Sequence, residues 1–172
     1  MVSEHIHEFE ERKATAEAPY RFTGSGLPHV YLIGVKYRVC KKCQQQMADI
    51  PAVRKLMQAI ARTVVESDAA LTGDEIRFLR KRLGKKSSEF AQLIGVTLEE
   101  VSRWENGHVT PGRSADKLIR VFYSMTSGDR RLKERMNRDI EEWLGGGAED
   151  DQAPTIRARL RNQEWTTEAV PA

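Results

Sequence analysis

The chain has 172 residues, 40% of them hydrophobic and 31% charged, with a formal net charge of +3, which fits one large globular domain or two small ones. No apolar run approaches the ~20 residues that span a bilayer. The opening "MVSEHIHEFEERK" has no signal-peptide core, so the expected location is the cytoplasm, with no membrane partner.

Residues 1 to about 48 are rich in β-branched and aromatic side chains. "YRFT" and "HVYLIGVKYRVC", interrupted by "GSGLP" and Gly34, predict short strands joined by turns. So thin a core needs a staple or a partner. The two cysteines, Cys40 and Cys43, are too few for a disulfide framework. In a reducing compartment their C-x-x-C spacing suggests a metal knuckle or a redox pair.

Pro51 suits the first turn of a helix, and Val53, Leu56, Met57, Ile60 and Val64 follow as one apolar stripe that ends near Ser67. Residues 72 to 144 read as all-helical. Thr72-x-x-Glu75 is a capping box, with Ile76, Leu79 and Leu83 on one face and Gly84 as the stop. Ser87 or Ser88 caps a short second helix closed by Gly95. Thr97-x-x-Glu100 opens a third that runs to Asn106-Gly107. After Pro111, Ser114 caps a fourth, with Leu118, Ile119, Phe122 and Met125 toward a core. Asp129 caps the last, with Leu132, Met136, Ile140, Trp143 and Leu144 inward.

"GGGAEDDQAP" reads as a flexible acidic linker. In the basic tail after it, Ile156, Leu160 and Trp165 stand at helix-like intervals, so the tail is frayed or folds on something else. The predicted fold class is α+β. A small, β-rich, zinc-finger-like domain with a trailing helix fills 1–67. An all-α helix-turn-helix domain fills 72–144, and a flexible linker and tail fill 145–172.

The stretch "LIGVTLEEVSRWENGHVTP" carries the most specific signal. Ala91 lets two short helices approach, Gly95 permits the sharp turn, and Val96 and Val101 plug the space between them. Thr97 caps the third helix and leaves its first turn free for a groove. Ala91, Gly95, Val96, Thr97, Val101, Ser102, Trp104, Glu105, Gly107 and Pro111 stand in register with the Xre/Cro-type helix-turn-helix family, which this stretch resembles. That family usually places glutamine where this chain has Ser87.

Together with "YRFTGSGLPHVYLIGVKYRVCKKC" and "LTGDEIRFLRKRLG", the sequence resembles the MqsA-like antitoxins over residues 9 to about 125. They join a YgiT-type zinc-binding finger to an Xre-type DNA-binding domain. The resemblance implies a homodimeric repressor of its own operon whose N-terminal half neutralises a cognate toxin. Such antitoxins usually carry two C-x-x-C pairs. Cys40 and Cys43 match the second, and "SEHIHEF" stands where the first is expected. His5 and His7 can complete a Cys2His2 set for zinc; otherwise apolar packing has replaced the metal.

Arg103 is the candidate base reader, able to bind guanine O6 and N7; the alternative is a surface pair with Glu99 or Glu100. Glu99 can accept from cytosine N4, and Ser102 can bond phosphate or a base edge. Trp104 is expected to pack rather than stack. Thr97, Ser87, Asn106, His108, Thr110, Arg113 and Ser114 are candidates for phosphate contact. Arg80, Lys81, Lys85 and Lys86 would add nonspecific attraction to duplex DNA.

Paired recognition helices imply palindromic half-sites about one helical turn apart. The last two helices are the expected dimer surface. A stand-alone regulator with a metal- or ligand-sensing N-terminal domain is the alternative reading. An enzyme that uses Cys40 or Cys43 fits poorly, because a redox C-x-x-C opens a helix within a βαβ pattern and here it follows a hairpin.

Overall fold

The computed structural model describes residues 6–145, 155–161 and 164–170, the side chains of 141–145 excepted. Five strands come first: β1 (Phe9–Lys13), β2 (Tyr20–Arg21), β3 (Val30–Ile33), β4 (Lys36–Cys40) and β5 (Gln46–Ala48). Six helices follow: α1 (Val53–Glu66), α2 (Gly73–Arg82), α3 (Ser87–Ile94), α4 (Leu98–Glu105), α5 (Arg113–Thr126) and α6 (Arg130–Gly145). Two strands, β6 (Thr155–Arg161) and β7 (Glu164–Val170), end the described chain. The fold is mixed α and β, with a β-rich N-terminal region followed by helices, as the sequence predicts.

The sheets are ordered β1-β4-β5 and β2-β3-β6-β7. In the second the tail folds on β3, one of the two expected alternatives, but as strands and not at the helical period. β6 runs parallel to β3, with Val30 opposite Ile156 and Leu32 opposite Ala158, and β7 returns antiparallel to β6. The true period is two. Ile156, Ala158 and Leu160 alternate with Arg157, Arg159 and Arg161, so one face is apolar and the other basic. Counting only Ile156, Leu160 and Trp165 made the spacing look helical.

Ile156 and Ala158 are fully buried. The apolar face of the hairpin lies on α1. Trp165 Nε1 donates to the carbonyl of Pro51 at 3.0 Å, and the hydroxyls of Thr63 and Thr167 share a 2.5 Å hydrogen bond. The expected linker falls almost wholly in 146–154, outside the described residues.

Leu56, Ile60 and Val64 of α1 are buried, whereas Val53, in the first turn, is exposed. One apolar cluster runs from Leu32 through Leu56 and Ile76 to Phe90, Ile119 and Leu132. A polar clasp crosses it. The Arg120 guanidinium donates to the carbonyls of Val64 (3.2 Å), Val65 (2.9 Å), Ala69 (2.5 Å) and Ser67, and its Nε to Asp116 Oδ1 at 2.5 Å. Asp116 Oδ2 accepts from the Leu71 N–H at 2.6 Å. The carbonyls that end α1 are thereby satisfied by a side chain of α5.

Three expected caps are present. Thr72 Oγ1 accepts from Glu75 N at 3.3 Å, Thr97 Oγ1 from Glu100 N at 3.1 Å, and Asp129 Oδ1 from Arg131 N at 3.0 Å. Two differ. Lys86 takes the cap position of α3, its backbone N–H bound to Glu89 Oε2 at 2.9 Å, so Ser87 is the first helical residue. Gly112 takes that of α5, because its carbonyl already accepts from Asp116 N at 3.0 Å, so Ser114 lies inside the helix.

The inner face of α5 is also rotated from the expected one. Asp116, Ile119, Arg120, Tyr123 and Ser124 are buried, while Leu118 is 43% exposed, Met125 44% and Ile140 of α6 37%. The clasp at Asp116 and Arg120 sets this rotation. Leu132 and Met136 point inward as expected. The side chains of Trp143 and Leu144 lie outside the description.

Candidate nucleic-acid interface and metal centre

α4 is short, and its orientation is set from both ends. At its start Glu100 Oε2 accepts from Thr97 N (2.8 Å) and Thr97 Oγ1 (2.9 Å), completing the box. The bond from the Thr97 backbone N–H holds the Glu100 carboxyl below the usual carboxylate range. Gly95, in the left-handed region at φ 76°, makes the turn from α3 into this cap. Along the inner side Val101 and Trp104 are buried, so Trp104 packs, as expected.

At the far end Glu105 is buried against Arg80 of α2. Arg80 Nε donates to Glu105 Oε1 at 2.5 Å and Nη2 to Oε2 at 2.9 Å, while Nη1 donates to the Lys85 carbonyl at 2.8 Å. The hydrogen bond to Glu105 raises the Arg80 pKa further above its ordinary value. Arg80 was expected to attract DNA; instead it is turned inward to fix α4. Gly73 makes this contact possible, because a Cβ there would run into the carbonyl of Trp104. Arg77 Nη1 reaches Asp74 at 3.2 Å, and its Nη2 donates to the carbonyl of Glu105 and to Asn106 Oδ1, the latter at 3.3 Å.

What remains outward on α4 is Leu98, Glu99, Ser102 and Arg103, all exposed. Asn106, just after the helix, is exposed too, but its Nδ2 already donates to the Ser102 carbonyl at 2.9 Å. His108 follows on the exposed turn, its backbone N–H bound to the Arg103 carbonyl at 2.9 Å. Lys86 and the half-buried Ser87 lie at the start of α3, and exposed Arg113 and Ser114 at the start of α5, with Thr110 exposed just before it. Lys81 and Lys85 are also exposed. The structure therefore places the predicted readers on the solvent side of α4. Arg77, Arg80 and Glu105 were missed as positioning residues. No local spacing links Arg80 to Glu105, so their pairing emerges only from the fold.

Cys40 ends β4, and Cys43 sits in the turn between β4 and β5. Gln44 N donates to the Cys40 carbonyl and Cys40 N to the Gln45 carbonyl, both at 2.9 Å. Gln44 holds a left-handed φ of 59°. Phe9 of β1 pairs with Cys40, which brings His7 to the same turn. Cys43 Sγ lies 3.6 Å from His7 Nδ1, and one ligand atom from each of His7, Cys40 and Cys43 lies within 4.8 Å of the others.

With Zn–S and Zn–N bonds of about 2.3 and 2.0 Å, a tetrahedral site has an S···N edge of about 3.5 Å, close to the Cys43–His7 distance. The donor set thus fits a zinc ion, which His7, Cys40 and Cys43 can hold. His5 lies outside the described residues. A C-x-x-C in a hairpin turn, rather than at a helix N-terminus, also lacks the setting that activates a redox cysteine. The purified protein is expected to carry about one zinc per chain by metal analysis and to lose it in the Cys43→Ser variant; a metal content near zero would exclude the assignment.

A short, doubly fixed helix that follows a glycine turn and holds Glu99, Ser102 and Arg103 outward is the arrangement that the helix-turn-helix expectation calls for. The comparisons agree. The chain is 35% identical over 60 residues to the uncharacterized HTH-type transcriptional regulator YiaG of Escherichia coli K12, covering 35% of this chain and 62% of that protein. The YiaG proteins of strains O6:H1 and O157:H7 match over the same shares. The match thus spans less than two thirds of these relatives.

Residues 5–126 match the antitoxin component of the bacterial toxin-antitoxin system, MqsA. The chain belongs to the MqsA antitoxin family. No solved structure matches it. No described helix is long and apolar enough to cross a membrane.

Proposed function

We propose that the protein is a sequence-specific repressor of its own operon and the antitoxin of a type II toxin-antitoxin pair. Residues 72–144 read DNA and residues 1–67, stapled by zinc, bind the toxin. The observation that carries the DNA half is the solvent side of α4, where Glu99, Ser102 and Arg103 are exposed while Arg80 and Glu105 hold the helix from behind. Lys86, Arg113 and the turn at His108 flank it as phosphate contacts, with Thr97 and Ser87 at the helix starts. A homodimer sets two such helices on palindromic half-sites. The apolar side chains left exposed on α5 and α6, Leu118, Met125 and Ile140, support pairing through those helices.

In binding assays on the promoter region of its own operon, Arg103→Ala is expected to cost about 1–3 kcal/mol at each contacted base pair and to relax preference there. Equal binding by both proteins across all sequences would remove Arg103 from readout. Co-purification of the chain with the small protein encoded beside it tests the toxin half. Without such a complex, a stand-alone regulator with a metal-sensing N-terminal region is favoured.

A further inference from the structure

Leu98 is not explained by packing. It is the first residue of α4, directly after the Thr97 cap, and its side chain is 52% exposed. It takes no part in the capping box, whose bonds join Thr97 and Glu100. One turn on, at helical spacing, stands the exposed Ser102, and Glu99 and Arg103 continue the same solvent side. The N-terminal residues of a recognition helix are those that meet base edges in the major groove. Glu100 is bound to its own cap, so in the first turn only Leu98 and Glu99 can reach out.

An isobutyl group can neither donate nor accept a hydrogen bond. The apolar group that the major groove displays is the 5-methyl of thymine, or of 5-methylcytosine. We propose that Leu98 is a specificity-determining residue that reads a pyrimidine 5-methyl group in each half-site, beside the polar contacts of Ser102 and Arg103. This rests on the DNA-reading function proposed above and adds an apolar position to it. Removing a buried methyl from water is equivalent to about a fourfold change in affinity. Two half-sites read together would give about fifteenfold.

The experiment uses the full chain and the duplex it selects from random sequence. Each thymine of the selected site is replaced in turn by deoxyuridine, which lacks only the methyl group. The expected result is one thymine per half-site whose replacement weakens wild-type binding about fourfold. The Leu98→Ala protein should bind the thymine and deoxyuridine duplexes alike. At the same position 5-methylcytosine should outbind cytosine for the wild type alone. Leu98→Ala should keep the wild-type melting temperature, since the side chain is exposed.

A selected site with no methyl-dependent position overturns the proposal, and so does a methyl effect that persists in Leu98→Ala. If the Arg103→Ala protein still loses sequence preference in either case, the DNA-reading function stands and only the role of Leu98 falls. If the wild type selects no sequence, both fall.

Discussion

Arg80→Ala is expected to lower unfolding free energy by up to about 3–5 kcal/mol, because it leaves the buried Glu105 carboxylate with only the longer, 3.6 Å ion pair to Arg77 Nε. The loss should appear as a shift of the urea midpoint at nearly unchanged slope. It should also appear as a loss of DNA binding, since Glu105 is the last residue of α4 and Arg80 its anchor. The replacement Arg80→Met with Glu105→Leu separates the two consequences. A pair of apolar side chains of similar volume can be neutral or stabilising in place of a buried ion pair. That double variant should recover most of the stability. A loss below about 1 kcal/mol for Arg80→Ala, the range of an exposed pair, would show that the pair is solvated and does not anchor α4.

Arg120→Ala is the second large expected loss, also about 3–5 kcal/mol, but its signature is different. The variant leaves Asp116 buried without its cation and uncaps the carbonyls that end α1. Amide exchange should accelerate first at Leu71, whose N–H is held by Asp116. The segment between α1 and α2 would then loosen before the core of α2 to α4 does. Uniform acceleration across the whole chain would place Arg120 in a general stabilising role rather than in the clasp.

Much of the helical half could be read from local chemistry. The capping boxes at Thr72 and Thr97, the stop at Gly95 and the buried Val101 and Trp104 each depend on residues a few positions apart, and periodicity exposes such relations. Contacts between distant segments were not readable in this way. Arg80 looked like one more residue of a basic run, and only its meeting with Glu105 turns it inward. On α5 the stripe of Leu118, Phe122 and Met125 has correct helical spacing, yet Asp116 and Arg120 claim the inner side, so charged residues sit where apolar ones were expected. At the metal centre the C-x-x-C was plain, whereas the approach of His7 depends on β1 pairing with β4. The tail folds on other parts of the chain, one of the two expected alternatives, but as strands where its spacing looks helical. The seven residues of β6 alternate arginine with small or aliphatic residues in a clear period of two, whereas Ile156, Leu160 and Trp165 taken alone suggest a helical one.

The pairing of β3 with β6 has a consequence for biosynthesis. Val30 and Leu32 leave the ribosome long before their neighbours Ile156 and Ala158. Until then one edge of β3 is an open row of backbone donors and acceptors, the kind of edge that recruits foreign strands. A pairing this distant along the chain is also slow to form. A message cut short, or a chain clipped after α6, would therefore yield a molecule with complete recognition helices and an adhesive N-terminal sheet. Such fragments should collect in aggregates or with chaperones, so the arrival of β6 is what closes the edge of β3.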